Sequence, residues 1–238
     1  MRGLFVTGTG TGVGKTIVSA ALIAAMRTAG EPVRAHKPVV TGISELAGDW
    51  PADHLLLAST AGMDPCDVAP LRFGPASAPH LAADLAGEEI NVVEMVERVY
   101  ALGTPTPGDS PSQEPVLVVE GVGGLLVPLT KWYTVCDLAT QLALPLVIAA
   151  TPELGTINHT LLTLQAARAA KLEVRAVVLT PWPTEPSMIE RSNRETIAGL
   201  GGIEVVGLGL VRSADVAELA RAGDTLPWRR WLADHSYA

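Results

Sequence analysis

A glycine-rich segment near the beginning of the chain, residues 8–16, joins a short apolar run at residues 4–7 to a helical pattern over residues 15–29. Glycines allow consecutive backbone N–H groups to converge on one anion, and the N-terminus of the following helix adds partial positive charge at the same point. A strand, a glycine loop and a helix in this order therefore predict a phosphate-binding loop at one edge of an α/β sheet.

The end of this segment has the residues that nucleotide chemistry requires. Lys15 is placed to reach the β and γ phosphates, and the hydroxyl of Thr16 is placed to bind Mg²⁺. The pattern differs from a standard Walker A motif at one point, because the glycine expected five positions before Gly14 stands one residue earlier, at Gly8. A dinucleotide site is disfavoured, since Val13 stands where the third glycine of that motif belongs.

Short apolar runs alternate with longer helical patterns along the rest of the 238 residues. This alternation is typical of a parallel sheet with helices on both faces, and apolar side chains make up 48% of the chain, enough for such a core. We therefore predict a single α/β domain of the P-loop NTPase type, with a parallel β-sheet flanked by helices. The predicted strands are residues 4–7, 33–37, 116–120, 146–151, 174–180 and 205–210.

Local signals place two further helices and one loop. Periodicity predicts a helix over residues 157–170, and Thr134 with Asp137 resembles a capping box that opens a helix ending near Leu142. Residues 103–115 combine proline, serine and glycine without periodicity. We predict that they form a mobile surface loop within the domain and do not separate two domains.

Charge and cysteine content disfavour several classes of protein. Lysine and arginine number 17 against 25 acidic residues, a net charge of −8, which argues against a nucleic-acid partner. No apolar run approaches about 18 residues and none resembles a signal peptide, so neither membrane insertion nor export is expected. Cys66 and Cys136 lack the spacing of a disulfide framework or a zinc site. We expect a cytoplasmic protein.

Two charged residues end predicted strands. Lys37 closes the strand at 33–37, and Glu120 closes the strand at 116–120 and is followed by a second glycine-rich stretch at 121–124. Ligands of open α/β sheets bind beyond the carboxyl ends of the strands. A carboxylate directly after a run of apolar residues is costly to bury without a partner, so we expect a metal ion or another cation beside Glu120.

Four segments in this order and spacing resemble those of dethiobiotin synthetases. They are GTGTGVGKT at 8–16, KPVVTG at 37–42, EGVGGLLV at 120–127 and GTINHT at 155–160, and the resemblance extends from residue 4 to about residue 182. That family implies a ligase of biotin biosynthesis that uses ATP and Mg²⁺ to carboxylate 7,8-diaminopelargonic acid with CO₂. The reaction passes through a carbamate and a carbamic-phosphoric anhydride before the ring of dethiobiotin closes. The family also implies a homodimer with the substrate site at its interface.

The resemblance implies roles for individual residues. The catalytic residues are Lys37, Lys15 and Thr11. The nucleotide-binding residues are Gly12, Val13, Gly14, Lys15, Thr16, Ile17, Thr180, Pro181, Gly209 and Leu210. The substrate-binding residues are Thr41 and Gly123, together with Gly155, Thr156 and Asn158 from the partner subunit. The metal ligands are Thr16, Glu120 and an aspartate at the start of the helix after the second strand.

Two of these assignments leave alternatives open. Asp53 is preferred to Asp49 as the metal ligand, because Pro51 suits the first turn of a helix and would place Asp53 in the electropositive N-terminal turn. Thr156 has a second interpretation as the N-cap of the helix that follows. One residue can both cap a helix and lie against a bound carboxylate, since helix N-termini bind carboxylates.

Nucleotide selection departs from the family pattern. Dethiobiotin synthetases commonly have an asparagine at the end of the fifth strand, where its amide reads the adenine edge, and this chain has Thr180 there. One hydroxyl cannot replace the paired donor and acceptor of an amide. The turn at residues 207–210 differs from the family's as well. We therefore expect relaxed base specificity, with CTP, GTP or another nucleoside triphosphate accepted beside ATP.

Two other classes of protein have a similar phosphate loop. Switch or partitioning ATPases place an additional lysine within the loop, whereas residues 8–16 contain only Lys15. Cobyrinate-type amide synthetases need a glutaminase domain, and the sequence after the strand at 205–210 is too short to form one. A non-catalytic nucleotide-binding module would leave Lys37, Glu120 and the second glycine-rich stretch without a role, so the synthetase interpretation is preferred.

Overall fold

The computed structural model describes residues 1–45, 48, 50–105 and 114–233. The strands in this part of the chain are β1 (Gly3–Gly8), β2 (Val33–His36), β3 (Val39–Thr41), β4 (Leu71–Phe73), β5 (Val116–Glu120), β6 (Pro128–Thr130), β7 (Tyr133–Thr134), β8 (Leu146–Ala150), β9 (Val174–Trp182) and β10 (Val205–Gly209). Six of these strands form one parallel sheet in the order β10-β9-β8-β1-β5-β2. They correspond to the six predicted strands.

The helices of the described residues are α1 (Lys15–Thr28), α2 (Asp53–Ala61), α3 (Pro65–Val68), α4 (Pro79–Ala86), α5 (Val92–Leu102), α6 (Val135–Leu142), α7 (Thr156–Ala169), α8 (Met188–Gly201), α9 (Val216–Gly223) and α10 (Trp228–Leu232). One face of the sheet packs against α1, α2, α9 and α10, and the other face packs against α4, α5 and α6. The parallel sheet flanked by helices confirms the predicted fold class.

Successive residues of the central strands point to opposite faces of the sheet. Leu4 and Val6 of β1 belong to the apolar cluster that contains α1, whereas Phe5 between them belongs to the cluster that contains α5 and α6. Every residue of β1 is buried. This is the pattern of a parallel strand covered on both sides, and it explains why the strands are continuous apolar runs in the sequence.

Strand ends differ from the prediction at two places that matter for the site. β2 ends at His36, so Lys37 is the first residue beyond the strand. β9 continues to Trp182, because Trp182 still pairs with Gly209 of β10 across an irregularity in the register. The small sheets β3-β4 and β6-β7 were not predicted, since strands of two or three residues carry too little periodicity.

The capping signal before α6 is confirmed. The side chain of Thr134 accepts a hydrogen bond from the backbone N–H of Asp137 at 3.2 Å, and Oδ2 of Asp137 accepts one from the backbone N–H of Thr134 at 2.7 Å. α6 ends at the predicted Leu142. Asp137 is therefore a structural residue at the start of a helix.

The structure bears only in part on the predicted loop at 103–115 and on the expected absence of membrane-spanning segments. Residues 106–113, the larger part of the loop predicted at 103–115, lie outside the described residues. In the described part of the chain, no helix combines the length and the hydropathy that crossing a bilayer requires.

Helices α1 and α9 approach each other closely at Gly223, the last residue of α9. A Cβ atom at this position would overlap the carbonyl oxygen of Ala21 and touch the side chain of Ala25. The packing of the two helices therefore requires glycine at this position.

His36 is a buried histidine at the end of β2. Its side chain is in the interior, and neither ring nitrogen has a hydrogen-bond partner of normal geometry among the described residues. Burial lowers the pKa of His36 to about 4, the backbone of Asp67 offsets this only in part, and the positive charge of Arg98 lowers it further. The imidazole is therefore neutral in the folded chain at neutral pH.

This histidine is expected to make the fold sensitive to acid. The unfolded chain takes up a proton near the ordinary pKa of 6.5, whereas the folded chain does so only near a pKa of about 4. The unfolded state therefore binds more protons between these values, and the free energy of unfolding falls by about 2 kcal/mol from about pH 7 to about pH 5. Urea unfolding of the wild type and His36→Leu across this range measures the effect. An equally steep loss in His36→Leu would contradict the assignment.

Candidate active site

The phosphate loop turns from β1 into α1 through two glycines with a left-handed backbone. Gly12 has a φ of 75° and Gly14 a φ of 86°, a conformation that glycine adopts without strain. A Cβ atom at Gly14 would also strike the methyl group of Thr180, at the end of β9. The loop thus depends on glycine for its path and packs against a second strand end.

Lys15, the first residue of α1, is held beneath this loop. Its side chain is buried, and Nζ donates a hydrogen bond to the backbone oxygen of Gly10 at 2.7 Å. Burial and the like charge of Lys37 lower the pKa of Lys15 to about 8, although the carboxylates of Glu120 and Asp53 act in the opposite direction. A buried ammonium group whose pKa is lowered in this way is stabilised when an anion binds beside it.

Three charged side chains meet next to the phosphate loop. β5 lies between β1 and β2, so Glu120 at the carboxyl end of β5 stands between the loop and Lys37. Nζ of Lys37 lies 2.5 Å from Oε1 of Glu120 and 2.7 Å from Oδ2 of Asp53, the first residue of α2. The same Oε1 accepts a hydrogen bond from Oγ1 of Thr16 at 2.9 Å. We call Lys37, Asp53 and Glu120 the charge cluster.

Exposure and charge differ within the charge cluster. The side chains of Glu120 and Lys37 are 0% and 4% exposed, whereas that of Asp53 is 47% exposed. Burial on its own would lower the pKa of Lys37, but the two carboxylates outweigh it and raise that pKa above its ordinary value. Burial would raise the pKa of Asp53, but the ammonium group of Lys37 and other contacts lower it overall. Lys37 and Asp53 are therefore both charged at neutral pH.

The charge cluster and Thr16 offer oxygen donors suited to Mg²⁺. Two carboxylates and one hydroxyl converge here, and Oε2 of Glu120 is buried with no hydrogen-bond partner among the described residues. Mg²⁺ is usually held by one or two carboxylates together with water and substrate phosphates. Residues 1–45, 48, 50–105 and 114–233 contain no group of three or more His, Cys, Asp or Glu that could hold a metal ion. Asp49, the alternative ligand, lies outside the described residues.

A cleft of about 760 Å³ runs from the phosphate loop past the charge cluster. Its lining includes many of the predicted site residues, namely Thr11, Gly12, Gly14, Lys15, Thr16, Ile17, Lys37, Thr41, Asp53 and Gly123. Gly123 belongs to the second glycine-rich stretch and has a φ of 60°. Segments that are far apart in the sequence are thus brought to one cavity.

Sequence reasoning missed several residues that line the cleft. The other lining residues are Trp50, Pro51, Leu56, Ala76, Ser77, Ala78, Pro79, Val122 and Val127. The signal available at residues 76–79 was a proline suited to the first turn of a helix, which Pro79 occupies in α4, and it indicates structure, not binding. The hydroxyl of Ser77 is buried and has no hydrogen-bond partner among the described residues, so it is available to a ligand.

A second group of predicted residues lies on another side of the phosphate loop. Thr180 and Pro181 belong to the end of β9, Gly209 ends the neighbouring β10, and Leu210 follows it with its side chain exposed. Thr180 joins this group to the loop through its contact with the position of Gly14. None of the four appears in the described lining of the cleft.

Val13 of the phosphate loop packs against the apolar core, and the predicted Gly155, Thr156 and Asn158 lie at the N-terminus of α7, also outside the lining of the cleft. The N-cap is Gly155, with a φ of 95°, so the interpretation of Thr156 as the N-cap is wrong. The left-handed conformation of this position favours glycine over threonine. Thr156 is the first helical residue, and its buried hydroxyl lies 3.5 Å from that of Thr160. Gly155 and Asn158 are exposed.

A family model described as an AAA domain matches residues 2–208. Several proteins named ATP-dependent dethiobiotin synthetase BioD are similar over most of the chain. The protein of Anaeromyxobacter dehalogenans (strain 2CP-C) is 39% identical over 223 residues, which cover 93% of this chain and 95% of that protein. The protein of Mycobacterium sp. (strain KMS) is 36% identical over 234 residues, 98% of this chain and 99% of that protein. The protein of Bacillus subtilis subsp. natto is 34% identical over 208 residues, 87% of each.

A solved structure supports the same fold. The MinC:MinD cell division protein complex of Aquifex aeolicus matches with a TM-score of 0.54 and 14% identity, covering 98% of this chain and 92% of that chain. At this identity the likeness concerns the fold alone, and it agrees with a P-loop NTPase type of sheet.

Proposed function

The chain belongs to the family of ATP-dependent dethiobiotin synthetases, ligases of biotin biosynthesis, and on that basis we propose that it converts 7,8-diaminopelargonic acid and CO₂ into dethiobiotin. One amine takes up CO₂ as a carbamate, which accepts the γ-phosphoryl group of the nucleotide. The second amine attacks the resulting carbamic-phosphoric anhydride, the ring closes and phosphate leaves. The observation that carries this proposal is the buried ammonium group of Lys37, which lies beside the phosphate loop and lines the cleft.

The anionic intermediates of this reaction explain the two lysines. Lys15 follows β1 and Lys37 follows β2, the strands on either side of β5, and both lysines line the same cleft. We propose that their ammonium groups bind the carbamate oxygens and stabilise the charge that develops on the transferred phosphoryl group. Thr11 is assigned a contact with the carbamate. Because ring closure is intramolecular, holding the second amine in line contributes about 7 to 11 kcal/mol to lowering the barrier.

Thr16, Asp53 and Glu120 are the proposed ligands of Mg²⁺. When bound, the ion would neutralise part of the charge of the nucleotide phosphates. Glu120 accepts the hydrogen bond of the Thr16 hydroxyl and thereby orients it, while the half-exposed carboxylate of Asp53 faces the cleft from the start of α2. The unpartnered Oε2 of Glu120 supports this assignment.

Thr41 and Gly123 are the proposed contacts of the diamine, and a second copy of the chain completes the site. We assign the carboxylate end of the substrate to Gly155, Thr156 and Asn158 of a partner subunit in a homodimer. The hydroxyl of Thr156 is buried and its backbone N–H donates to the carbonyl oxygen of Glu153 at 3.1 Å, so its proposed contribution is the partial positive charge of the start of α7. The neighbouring Leu154 is 96% exposed, and an apolar side chain so exposed supports contact with a partner subunit at this end of the helix.

Phosphate release tests the proposed function. Purified protein is incubated with ATP, Mg²⁺ and bicarbonate, with and without 7,8-diaminopelargonic acid, and dethiobiotin is identified by mass spectrometry. We expect phosphate and dethiobiotin in equal amounts, and release only when the diamine is present. Phosphate release that is indifferent to the diamine would instead favour a switch ATPase.

Relaxed base specificity is a further part of the proposal. Thr180 offers one hydroxyl beside the phosphate loop, where an amide would offer a donor and an acceptor to the base. We expect kcat/KM values for ATP, CTP and GTP within about tenfold of one another, and Thr180→Asn to raise the preference for ATP by about tenfold. Turnover with each nucleotide measures this, and Thr163→Asn, at a half-buried position of α7, is the control. A steep preference for ATP in the wild type would refute the hypothesis.

A further inference from the structure

The ammonium group of Lys37 lies within the set of groups proposed to bind Mg²⁺. It contacts Oε1 of Glu120 at 2.5 Å and Oδ2 of Asp53 at 2.7 Å, and Oε1 of Glu120 also accepts the hydrogen bond of Thr16. All three proposed ligand side chains are therefore connected to one another around a cation that the protein itself supplies.

The ammonium group and a metal ion compete for the same two carboxylates. Mg²⁺ requires its oxygen ligands at about 2.0–2.1 Å in near-octahedral arrangement, so a metal that used the free Oε2 of Glu120 together with Asp53 would lie directly beside the ammonium group. Oε1 of Glu120 is already shared between Lys37 and Thr16. The repulsion between a divalent ion and an ammonium group at contact distance acts in the same direction.

We propose that Lys37 is a tethered cation that holds the metal-ligand set until Mg²⁺ enters, and that metal binding displaces its ammonium group into the cleft. The inference rests on the proposed function for the identity of the metal ligands. Lys37 lines the cleft together with Thr41, so the displaced group has room on that side. Its backbone is fixed directly after β2, whereas its four-carbon stem is flexible.

Displacement links two events at the site. The metal and the nucleotide phosphates bind first. The ammonium group of Lys37 then moves to the side of the cleft on which the carbamate forms. Because coupling between two ligands is reciprocal, an anion that attracts Lys37 into the cleft also strengthens metal binding. The charge cluster thus orders the assembly of the site.

Metal affinity tests the competition directly. Mn²⁺, which is visible by electron paramagnetic resonance, is titrated into the protein without nucleotide. Lys37→Met is expected to bind Mn²⁺ roughly tenfold more tightly than the wild type, because the fraction of sites open to metal rises. Lys15→Met is the matched control, since it removes the same charge from the same cleft but its Nζ is bound to the Gly10 backbone oxygen. It is expected to raise the affinity by less than Lys37→Met does, because its Nζ is bound to a backbone oxygen and not to either carboxylate. Equal effects of both variants, or no effect of Lys37→Met, would overturn the proposal.

The movement of Lys37 can be observed in the wild type. The chain contains four lysines, Lys15, Lys37, Lys131 and Lys171, so ¹³Cε labelling of lysine gives a simple spectrum that Lys→Met variants assign. We expect the signal of Lys37 to shift when MgCl₂ is added alone, and Lys131 and Lys171 to stay unchanged. A shift that occurs only with a non-hydrolysable ATP analogue, and equally in EDTA, would mean that phosphate and not metal moves the lysine, and would overturn the proposal.

These measurements test the displacement of Lys37 separately from the proposed function. Neither uses the diamine or measures turnover. A chain that releases no dethiobiotin yet shows the metal-driven shift would retain the displacement and lose the synthetase assignment. An active synthetase in which Mg²⁺ leaves the Lys37 signal unchanged would retain the assignment and lose the displacement.

Discussion

Lys37→Met is expected to lower the rate constant for dethiobiotin formation by about 10²- to 10³-fold, with a much smaller change in KM for the nucleotide. Methionine keeps the length of the side chain and its apolar packing, but it removes the ammonium group assigned to the carbamate and to the transferred phosphoryl group. The measurement is dethiobiotin formation at saturating diamine, bicarbonate and nucleotide. An unchanged kcat would show that Lys37 has no part in the chemistry.

Two controls separate this effect from a loss of folding. Lys131→Met also removes a lysine, but its side chain is 69% exposed and its nearest carboxylate, on Asp84, lies 3.9 Å away, so activity is expected to stay at the wild-type level. Lys37→Met leaves the buried carboxylate of Glu120 without its ion pair, and thermal unfolding of that variant shows whether it is folded. Activity lost only in step with the folded fraction would point to a structural role.

Gly223→Ala is expected to destabilise the fold by about 3 kcal/mol. The added methyl group would overlap the carbonyl oxygen of Ala21, a backbone atom in the middle of α1 that cannot move aside as a flexible side chain does. The two helices must separate, and the apolar contacts between α1 and α9 weaken. Urea unfolding monitored by tryptophan fluorescence and by circular dichroism measures the change.

Gly199→Ala in α8 is the matched control for this prediction. A Cβ atom at Gly199 meets no neighbour, so the change is expected to be neutral or to stabilise the helix by up to about 1 kcal/mol. Similar midpoints for the two variants would mean that the helices adjust to the extra methyl group.

The strands could be predicted because burial on both faces leaves an uninterrupted apolar run. Val116–Glu120 is such a run, and its last residue is a carboxylate that must find a cation. That reasoning placed Lys37 and Glu120 at the same edge of the sheet. It did not give the strand order, which makes them neighbours, because pairing between parallel strands leaves no trace in either strand alone.

Other parts of the site depend on tertiary structure. Ser77 precedes α4 and Trp50 precedes α2, and both line the cleft. Neither residue lies in a sequence pattern that indicates binding. At α7 the cap depends on the φ of Gly155, which favours glycine, whereas residue type alone favoured Thr156. The position of a helix cap depends on backbone conformation, which residue type alone does not determine.

The sheet order has a consequence for the synthesis of the chain. β2 has β5 as its neighbour in the described sheet, and β1 lies between β5 and β8, so neither of the first two strands pairs with anything made before residue 116. The ribosome needs roughly 4 to 17 s to extend the chain from Lys37 to Glu120. During that interval the phosphate loop and the lysine have both been made, but the strand that joins them has not. A nascent chain therefore cannot bring its phosphate loop and Lys37 together through the sheet until β5 has been made.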